Sequence, residues 1–425
     1  MKGTPARSFE SLDDWLPWLE SLSPREIVLG LERVHDVIGR LAPERPGLVI
    51  NVAGTNGKGS SVAMLESLLR ADGLRTGSYT SPHLSRYNER IRIDGKAADN
   101  AAVLAALEAV EAVRDSVPLT FFEFGTLAAL QAFSEAGVDA WLLEVGMGGR
   151  LDAVNAVEPD GCLITNIDLD HCAWLGDDVE SIAGEKAGIM RPSKPVVFGS
   201  RDVPNAIREQ ADSIGAELWL AGREFDHEIH ADGRWTWQGG ERTLRALLPP
   251  AVPGPVQVQN AAAVLALLEM LGRNDGVHAD QVSAALGSMT LPGRFQSIGD
   301  RWILDVAHNP AAAGVLARQI ASLGVEGRLT AIVGMLGDKD VEAFAAALHP
   351  VVDKWIAVSV GASRRTAPEA LAGRIANVTG KPCLIADGVE AALDHADGGA
   401  TDGDRILVSG SFYIVGPALE LLAAD

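Results

Sequence analysis

The segment Leu48 to Gly73, "LVINVAGTNGKGSSVAMLESLLRADG", constrains the fold more than any other stretch of the chain. An unbroken apolar run leads into glycines at 54, 57 and 59, and then Val62, Leu65 and Leu69, with Met64 and Leu68 beside them, recur at helical spacing. This order predicts a buried strand, a tight turn and an amphipathic helix that Asp72 and Gly73 stop. A helix start offers unpaired N–H groups and a positive dipole end, to which Lys58 adds a cation. The pattern departs from the usual Walker A loop. Two residues separate Gly54 from Gly57, and the hydroxyl follows the lysine one position late, as Ser60 or Ser61. A strand-to-helix turn without any ligand is the plain alternative. Strand, loop, lysine, hydroxyl and helix in this order favour nucleotide phosphate bound by Gly54, Thr55, Asn56, Gly57, Lys58, Gly59 and Ser60.

Further along, apolar strand-like runs alternate with helical patterns, which predicts α/β architecture with mainly parallel strands. Candidate strands are Leu48 to Ala53, Ala140 to Val145 and Gly161 to Ile167. Residues 223–248 read as short antiparallel strands around glycine turns, forming a small edge region. "LPPAVPGPVQVQN" reads as a proline-rich connector, with a helical run resuming at Asn260. After Phe295 the alternation restarts in "RWILDVA", "RLTAIVG", "KWIAVSV", "PCLIA" and "DRILVSG", which predicts a second, smaller doubly wound domain. The expected boundary lies near residues 291–297, giving domains of 1–293 and 294–425.

Composition narrows the function classes. A formal charge of -21 disfavours nonspecific binding to nucleic acid or to anionic membrane surfaces. The three cysteines, Cys162, Cys172 and Cys383, lack paired metal-ligand spacing, so neither disulfides nor zinc are expected. The N-terminal segment lacks the uninterrupted apolar core of a signal peptide, and no later stretch is suited to span a bilayer. The expected location is the cytoplasm.

Ligands of open α/β sheets bind beyond the carboxyl ends of strands, so polar residues there carry most weight. Glu144 interrupts an apolar strand just before a glycine turn. A buried carboxylate needs a partner, and two are open: a metal ion, or a salt bridge to Arg150. Asp168, Asp170 and His171 end another strand, although Mg²⁺ prefers oxygen and a histidine ligand is unusual for it. Lys186 reads on local grounds as an ordinary solvated lysine on a helix. Ser81, in "TSPHL", is a weak cation ligand candidate. In the second domain Asn309 and Pro310 cap and open a helix, which explains them but leaves Asp305 and His308 without a structural reason. Asp305 suits a ribose hydroxyl, and Arg294 a phosphate.

Taken together, "GTNGKGS", "TSPHL", "YNERIRI", "FFEFGTLAAL", "LEVGMGGRLDAVN", "DLDHCAWLG", "EKAGIMR", "LPGRFQ", "DVAHNP", "GMLGDKD" and "SGSFYIV" resemble the dihydrofolate synthase/folylpolyglutamate synthase family, the folate branch of the Mur ligase superfamily. The resemblance runs from about residue 10 to the C-terminus in the family's order. It implies a P-loop-type central Mur ligase domain, a Rossmann-like C-terminal domain and an ATP-dependent amide ligase working through an acyl phosphate. By the same resemblance Ser81, Glu144 and His171 are Mg²⁺ ligands and Lys186 is carbamylated. Lys58 acts on the transferring phosphoryl group, and Asn260, Arg294 and Asp305 contact the nucleotide. His308 and Ser411 are contacts to glutamate or phosphate. The pterin lies against Glu26, Ile27, Val28, Thr120, Phe121, Phe122, Glu123 and Asp152, although aromatics at such spacing are more often core.

"SPREIVLGLERV" and "LTFFEFG" look like the bifunctional bacterial members, whose partners are dihydropteroate, reduced folates and L-glutamate. A monofunctional folylpolyglutamate synthase is the nearest alternative. A peptidoglycan Mur ligase would place a further domain before the loop, and about fifty residues precede Gly54. A P-loop ATPase switch predicts ATP turnover without glutamate and gives no reason for Lys186. The expected oligomeric state is a monomer.

Overall fold

Strand β1 (Leu48–Ala53) is buried along its whole length, as a central parallel strand covered on both faces must be. The computed structural model describes residues 7–23, 28–273, 277–361 and 365–424. They fall into two compact units, Met1–Ala251 with Gln257–Met289, and Val252–Val256 with Thr290–Asp425.

In the first unit β1 is followed by β2 (Thr76–Tyr79), β3 (Ile91–Ile93), β4 (Lys96–Ala97), β5 (Ala140–Glu144), β6 (Gly161–Ile164), β7 (Pro195–Phe198) and β8 (Glu217–Leu220). They form one sheet in the order β4-β3-β2-β5-β1-β6-β7-β8. All neighbours pair in parallel except β2 with β3 and β3 with β4. The chain leaves β1 toward β2 on one side and later returns to build β6 to β8 on the other. The loop after β1 therefore sits at the switch point of the sheet, where ligands of such folds bind.

Two expectations change here. The strand expected over Gly161 to Ile167 ends at Ile164. Beyond it the backbone turns to the glycine loop: Thr165 N donates to Ala53 O at 2.9 Å, and Thr55 N donates to Asn166 O at 2.9 Å. The expected connector before Asn260 is already helical from Pro255, in a helix running Pro255–Met270. Proline is suited to a first helical position because its missing N–H is not needed there.

The region 223–248 forms the antiparallel sheet β9 (Phe225–Ile229), β10 (Trp235–Gly239) and β11 (Arg242–Leu247). Trp235 and Trp237 on β10 are fully buried. Each finds an acceptor for its indole N–H, Leu248 O and Ala262 O respectively, both at 3.0 Å. A large side chain with one polar atom is buried at little cost when that atom is paired.

The second unit holds β12 (Gln296–Ile298), β13 (Trp302–Asp305), β14 (Leu329–Val333), β15 (Lys354–Val358), β16 (Cys383–Ala386) and β17 (Arg405–Ser409), in the order β12-β13-β17-β14-β15-β16. Only β12 is antiparallel to its neighbour. Leu316, Phe344, Leu348 and Trp355 anchor its core. No helix among the described residues is long and apolar enough to cross a membrane.

Candidate active site

The site is built outward from the end of β1. Gly54 has φ of +145°, and a Cβ there would lie 1.8 Å from Thr165 Oγ1. Only glycine fits. Gly54→Ala is expected to destabilise the first unit by ~3 kcal/mol or more, from backbone strain and the clash together, and a denaturant titration measures it. Thr165 Oγ1 and Asn166 Nδ2 hold the loop from below, donating to Asn56 O at 2.6 Å and 2.9 Å. Gly57, with φ of +85°, opens the helix Lys58–Ala71, and Asn260 packs against it, 2.9 Å from where a Cβ would stand. Ser60 is buried in that first turn.

Two lysines converge on one carbonyl. Lys58 Nζ donates to Gly54 O at 3.0 Å and to Thr55 O at 3.2 Å, and Lys186 Nζ donates to the same Gly54 O at 3.2 Å. Lys186 lies on the helix Val179–Ala187 and is only 5% exposed, which overturns the solvated-lysine reading. Burial, and then the nearby Lys58 cation, lower its pKa to about 7 against the opposing pull of Asp170 and Asp152. Close approach at Gly149 sets this helix in place: a Cβ there would come within 2.7 Å of Glu185 O and 3.0 Å of Lys186 Cα.

Glu144 is 5% exposed. Its Oε2 accepts from Ser81 N at 3.0 Å and lies 3.5 Å from a Cβ built on Gly59, so the carboxylate faces the helix start. The salt bridge to Arg150 does not form, because Arg150 pairs with Glu185 at 2.7 Å. His171 takes the left-handed conformation, with φ of +53°, at the start of the short helix Cys172–Leu175. Its backbone N donates to Asp170 Oδ1 at 2.8 Å. Asp168 O accepts from Thr55 Oγ1 at 3.1 Å.

The described residues expected to meet the pterin all lie in the first unit. Thr120 and Glu123 form a capping box at the start of the helix Phe121–Ala136, and Thr120 N donates to Glu123 Oε2 at 2.7 Å. Glu123 also pairs with Arg33 at 2.6 Å, and Arg33 donates to Val28 O at 2.8 Å. These bonds give Thr120 and Glu123 a structural reason that the sequence reading lacked, and Arg33 is the residue it missed. Phe122 fills the space left by Gly146, where a Cβ would be 2.6 Å from its ring, and packs on Tyr79. Asp152 accepts from Met147 N at 2.9 Å and Val154 N at 3.0 Å. Burial outweighs those bonds and the Lys58 cation, raising its pKa to about 6. Glu26 and Ile27 lie outside the described residues.

In the second unit Asp305 uses both carboxylate oxygens on its own unit's backbone, accepting from Phe295 N and Ala307 N, each at 2.8 Å. Burial raises its pKa, and the Arg294 cation opposes the shift. Arg294 stacks over Phe412 with its guanidinium carbon 5.5 Å from the ring centre. His308 Nδ1 lies 2.9 Å from Val306 O, and Ser411 Oγ, buried, accepts from Tyr413 N at 3.2 Å. Gly410 N donates to Ala307 O at 2.9 Å, which ties the ends of β13 and β17 together. Asn309 caps the helix Pro310–Ser322 as its position predicts.

A family model described as the Mur ligase middle domain matches residues 52–268, and one described as the Mur ligase glutamate ligase domain matches residues 293–412. The dihydrofolate synthase/folylpolyglutamate synthase of Escherichia coli (strain K12) is 42% identical over 427 residues, covering 100% of this chain and 98% of that protein. The chain belongs to the dihydrofolate synthase/folylpolyglutamate synthase family. The solved structure of E. coli FolC in complex with DHPP and ADP superposes on this family member with a TM-score of 0.93 at 41% identity, covering 99% of both chains. The bifunctional folylpolyglutamate synthase/dihydrofolate synthase of Yersinia pestis, complexed with AMPPNP and a Mn ion, gives a TM-score of 0.90 at 41% identity, covering 99% of this chain and 100% of that one.

Proposed function

We propose that this protein is an ATP-dependent ligase that joins L-glutamate to dihydropteroate, forming dihydrofolate, and adds further glutamates to reduced folates. The observation that carries the reading is the convergence of Lys58 and Lys186 on the Gly54 carbonyl, with Glu144 facing Gly59 at the start of the same helix, in a chain alike over its full length to enzymes of that name.

Carboxylate is a poor electrophile, so it must be activated before an amine can displace oxygen from it. An acceptor carboxylate oxygen attacks the γ-phosphorus of ATP and ADP leaves. The glutamate amine then attacks the acyl carbon, loses a proton and expels phosphate. Both first-step reactants are anions. Backbone N–H groups at the start of the helix Lys58–Ala71 and the Lys58 ammonium offset their repulsion.

Among the described residues no three His, Cys, Asp or Glu side chains gather as a ready-made metal site. One carboxylate and one hydroxyl residue, Glu144 and Ser81, meet at the strand ends, which suits Mg²⁺ because that ion keeps several waters. In this reading Ser81, Glu144 and His171 hold Mg²⁺, which supplies charge stabilisation to the transferring phosphoryl group. Carbamylation of Lys186 needs a neutral amine, and a pKa of about 7 leaves roughly half of it neutral at pH 7. The carbamate would replace a buried cation with an oxygen anion beside the Lys58 ammonium. Asn260, Arg294 and Asp305 contact the nucleotide, and His308 and Ser411 glutamate or phosphate. Val28, Phe121, Phe122 and Asp152 take the pterin. We expect the enzyme to work in the cytoplasm as a monomer, in keeping with its free cysteines.

Phosphate release with Mg²⁺, ATP and L-glutamate tests the reading. Release with both dihydropteroate and tetrahydrofolate is expected. Release with tetrahydrofolate alone would make the protein a monofunctional folylpolyglutamate synthase, and release without an acceptor would make it an ATPase switch. Glu144→Gln is expected to lower turnover about 100-fold and to raise the Mg²⁺ concentration needed, with the melting temperature nearly unchanged. Parallel loss of stability and turnover would reduce Glu144 to a structural residue.

A further inference from the structure

The segments "TSPHL" and "YNERIRI" contain two side chains that the proposed chemistry leaves without a role, His83 and Arg90. Arg90 directly precedes β3, and its carbonyl accepts from Thr80 N at 2.9 Å, next to Ser81. Its Nε donates to His83 Nδ1 at 2.8 Å. Its guanidinium carbon lies 5.3 Å from the ring centre of Phe121 and 5.7 Å from that of Tyr87. Three side chains thus fix one partly exposed arginine.

No carboxylate pairs with it among the described residues. Its sequence neighbour Glu89 is spent on the backbone N–H groups of Leu84, Ser85 and Arg86. By accepting at Nδ1, His83 orients the guanidinium. The guanidinium fork of an arginine suits a carboxylate, and with Nε held by His83 the buried Tyr79 hydroxyl is a further polar group that faces it.

The position of the fork limits which carboxylate it meets. Phe121 adjoins Phe122, the ring that packs beside Gly146 and Tyr79. The contacts of Arg90 are with this aromatic group, whereas the amines of Lys58 and Lys186 meet at Gly54. We propose that Arg90, oriented by His83, binds a carboxylate of the folate acceptor that does not react, the one belonging to a glutamyl residue already attached. This rests on the ligase reading above. Dihydropteroate has a single carboxylate, which the reaction consumes. Tetrahydrofolate carries two, so one remains to be recognised, and Arg90 becomes the residue that favours chain extension over first addition.

Steady-state kinetics of wild type, Arg90→Gln, Arg90→Lys and His83→Ala with each acceptor provide the test. For an acceptor that binds without turnover, the inhibition constant replaces KM. Arg90→Gln is expected to raise KM for tetrahydrofolate about tenfold or more, the scale of one lost charge-assisted pair. Its kcat, and its KM for dihydropteroate, should stay within about threefold of wild type. Arg90→Lys should recover part of the loss, and His83→Ala should move in the same direction by less. An equal rise for both acceptors, or none for either, would overturn the proposal. Wild-type enzyme that couples glutamate to neither acceptor would overturn the ligase reading itself, and this inference with it.

Discussion

Lys186→Ala is expected to lower glutamate-dependent phosphate release about 1000-fold or more, while the protein stays folded. The fold should survive because two effects of the substitution oppose each other. It removes packing, but it also removes a buried ammonium whose pKa burial has lowered to about 7. The sign follows from linkage. Between about pH 7 and the ordinary lysine value of about 10.4 the unfolded chain binds the extra proton, so stability rises with pH across that window. Below about pH 7 the folded state carries the full cost of the charge, and alanine relieves it.

Activity has no such compensation. Without the lysine no carbamate forms, and added bicarbonate should not restore turnover. Wild-type enzyme equilibrated with ¹³C-bicarbonate should show one bound carbamate carbon by NMR, absent from Lys186→Ala. The neutral amine falls about tenfold for each pH unit below 7, so uptake of the label should fall on the same scale. Active wild-type enzyme with an unmodified Lys186 would remove the carbamate from the mechanism.

Lys58→Ala is expected to slow phosphoryl transfer about 100- to 1000-fold, the range for removing one preorganised positive group from a developing charge. Lys58 folds back onto Gly54 O and Thr55 O. In the proposed reaction its ammonium would exchange those two carbonyls for phosphate oxygens, so the variant would lose the phosphate contact without losing a core residue. Single-turnover ADP formation measures the step. A second readout is independent of turnover: with the like charge removed, the Lys186 pKa should rise, and reactivity of that amine toward an acylating probe at pH 7 should fall. Normal ADP formation in Lys58→Ala would take the loop lysine out of the reaction.

Much of this was legible along the chain because it depends on local order. β1 and the helix Lys58–Ala71 follow from an apolar run, a left-handed glycine and helical spacing. The cap at Asn309 follows from an Asn-Pro pair. The three strands within residues 223–248 follow from glycine turns between short alternating segments. Where a strand stops was less legible. Thr165 and Asn166 lie within the strand-like run Gly161 to Ile167, yet leave the sheet because the glycine loop, more than a hundred residues earlier, offers their backbone and side chains better partners.

Charge state and pairing belonged to the tertiary structure alone. On local evidence Lys186 is a surface lysine, and Glu144 a partner for either Arg150 or a metal ion. Packing of Gly149 against the Lys186 backbone buries that lysine next to Lys58, and Arg150 turns to Glu185 instead. Arg33 and Glu123 are ninety residues apart and meet only because two helices pack. The sequence by itself determined the order of strands and helices and the strand, glycine turn and helix at Gly54, since propensity, capping and periodicity act over a few residues. Tertiary structure alone decided which charges are desolvated and what faces them, since desolvation and Coulomb energies depend on distances in space that no spacing along the chain encodes.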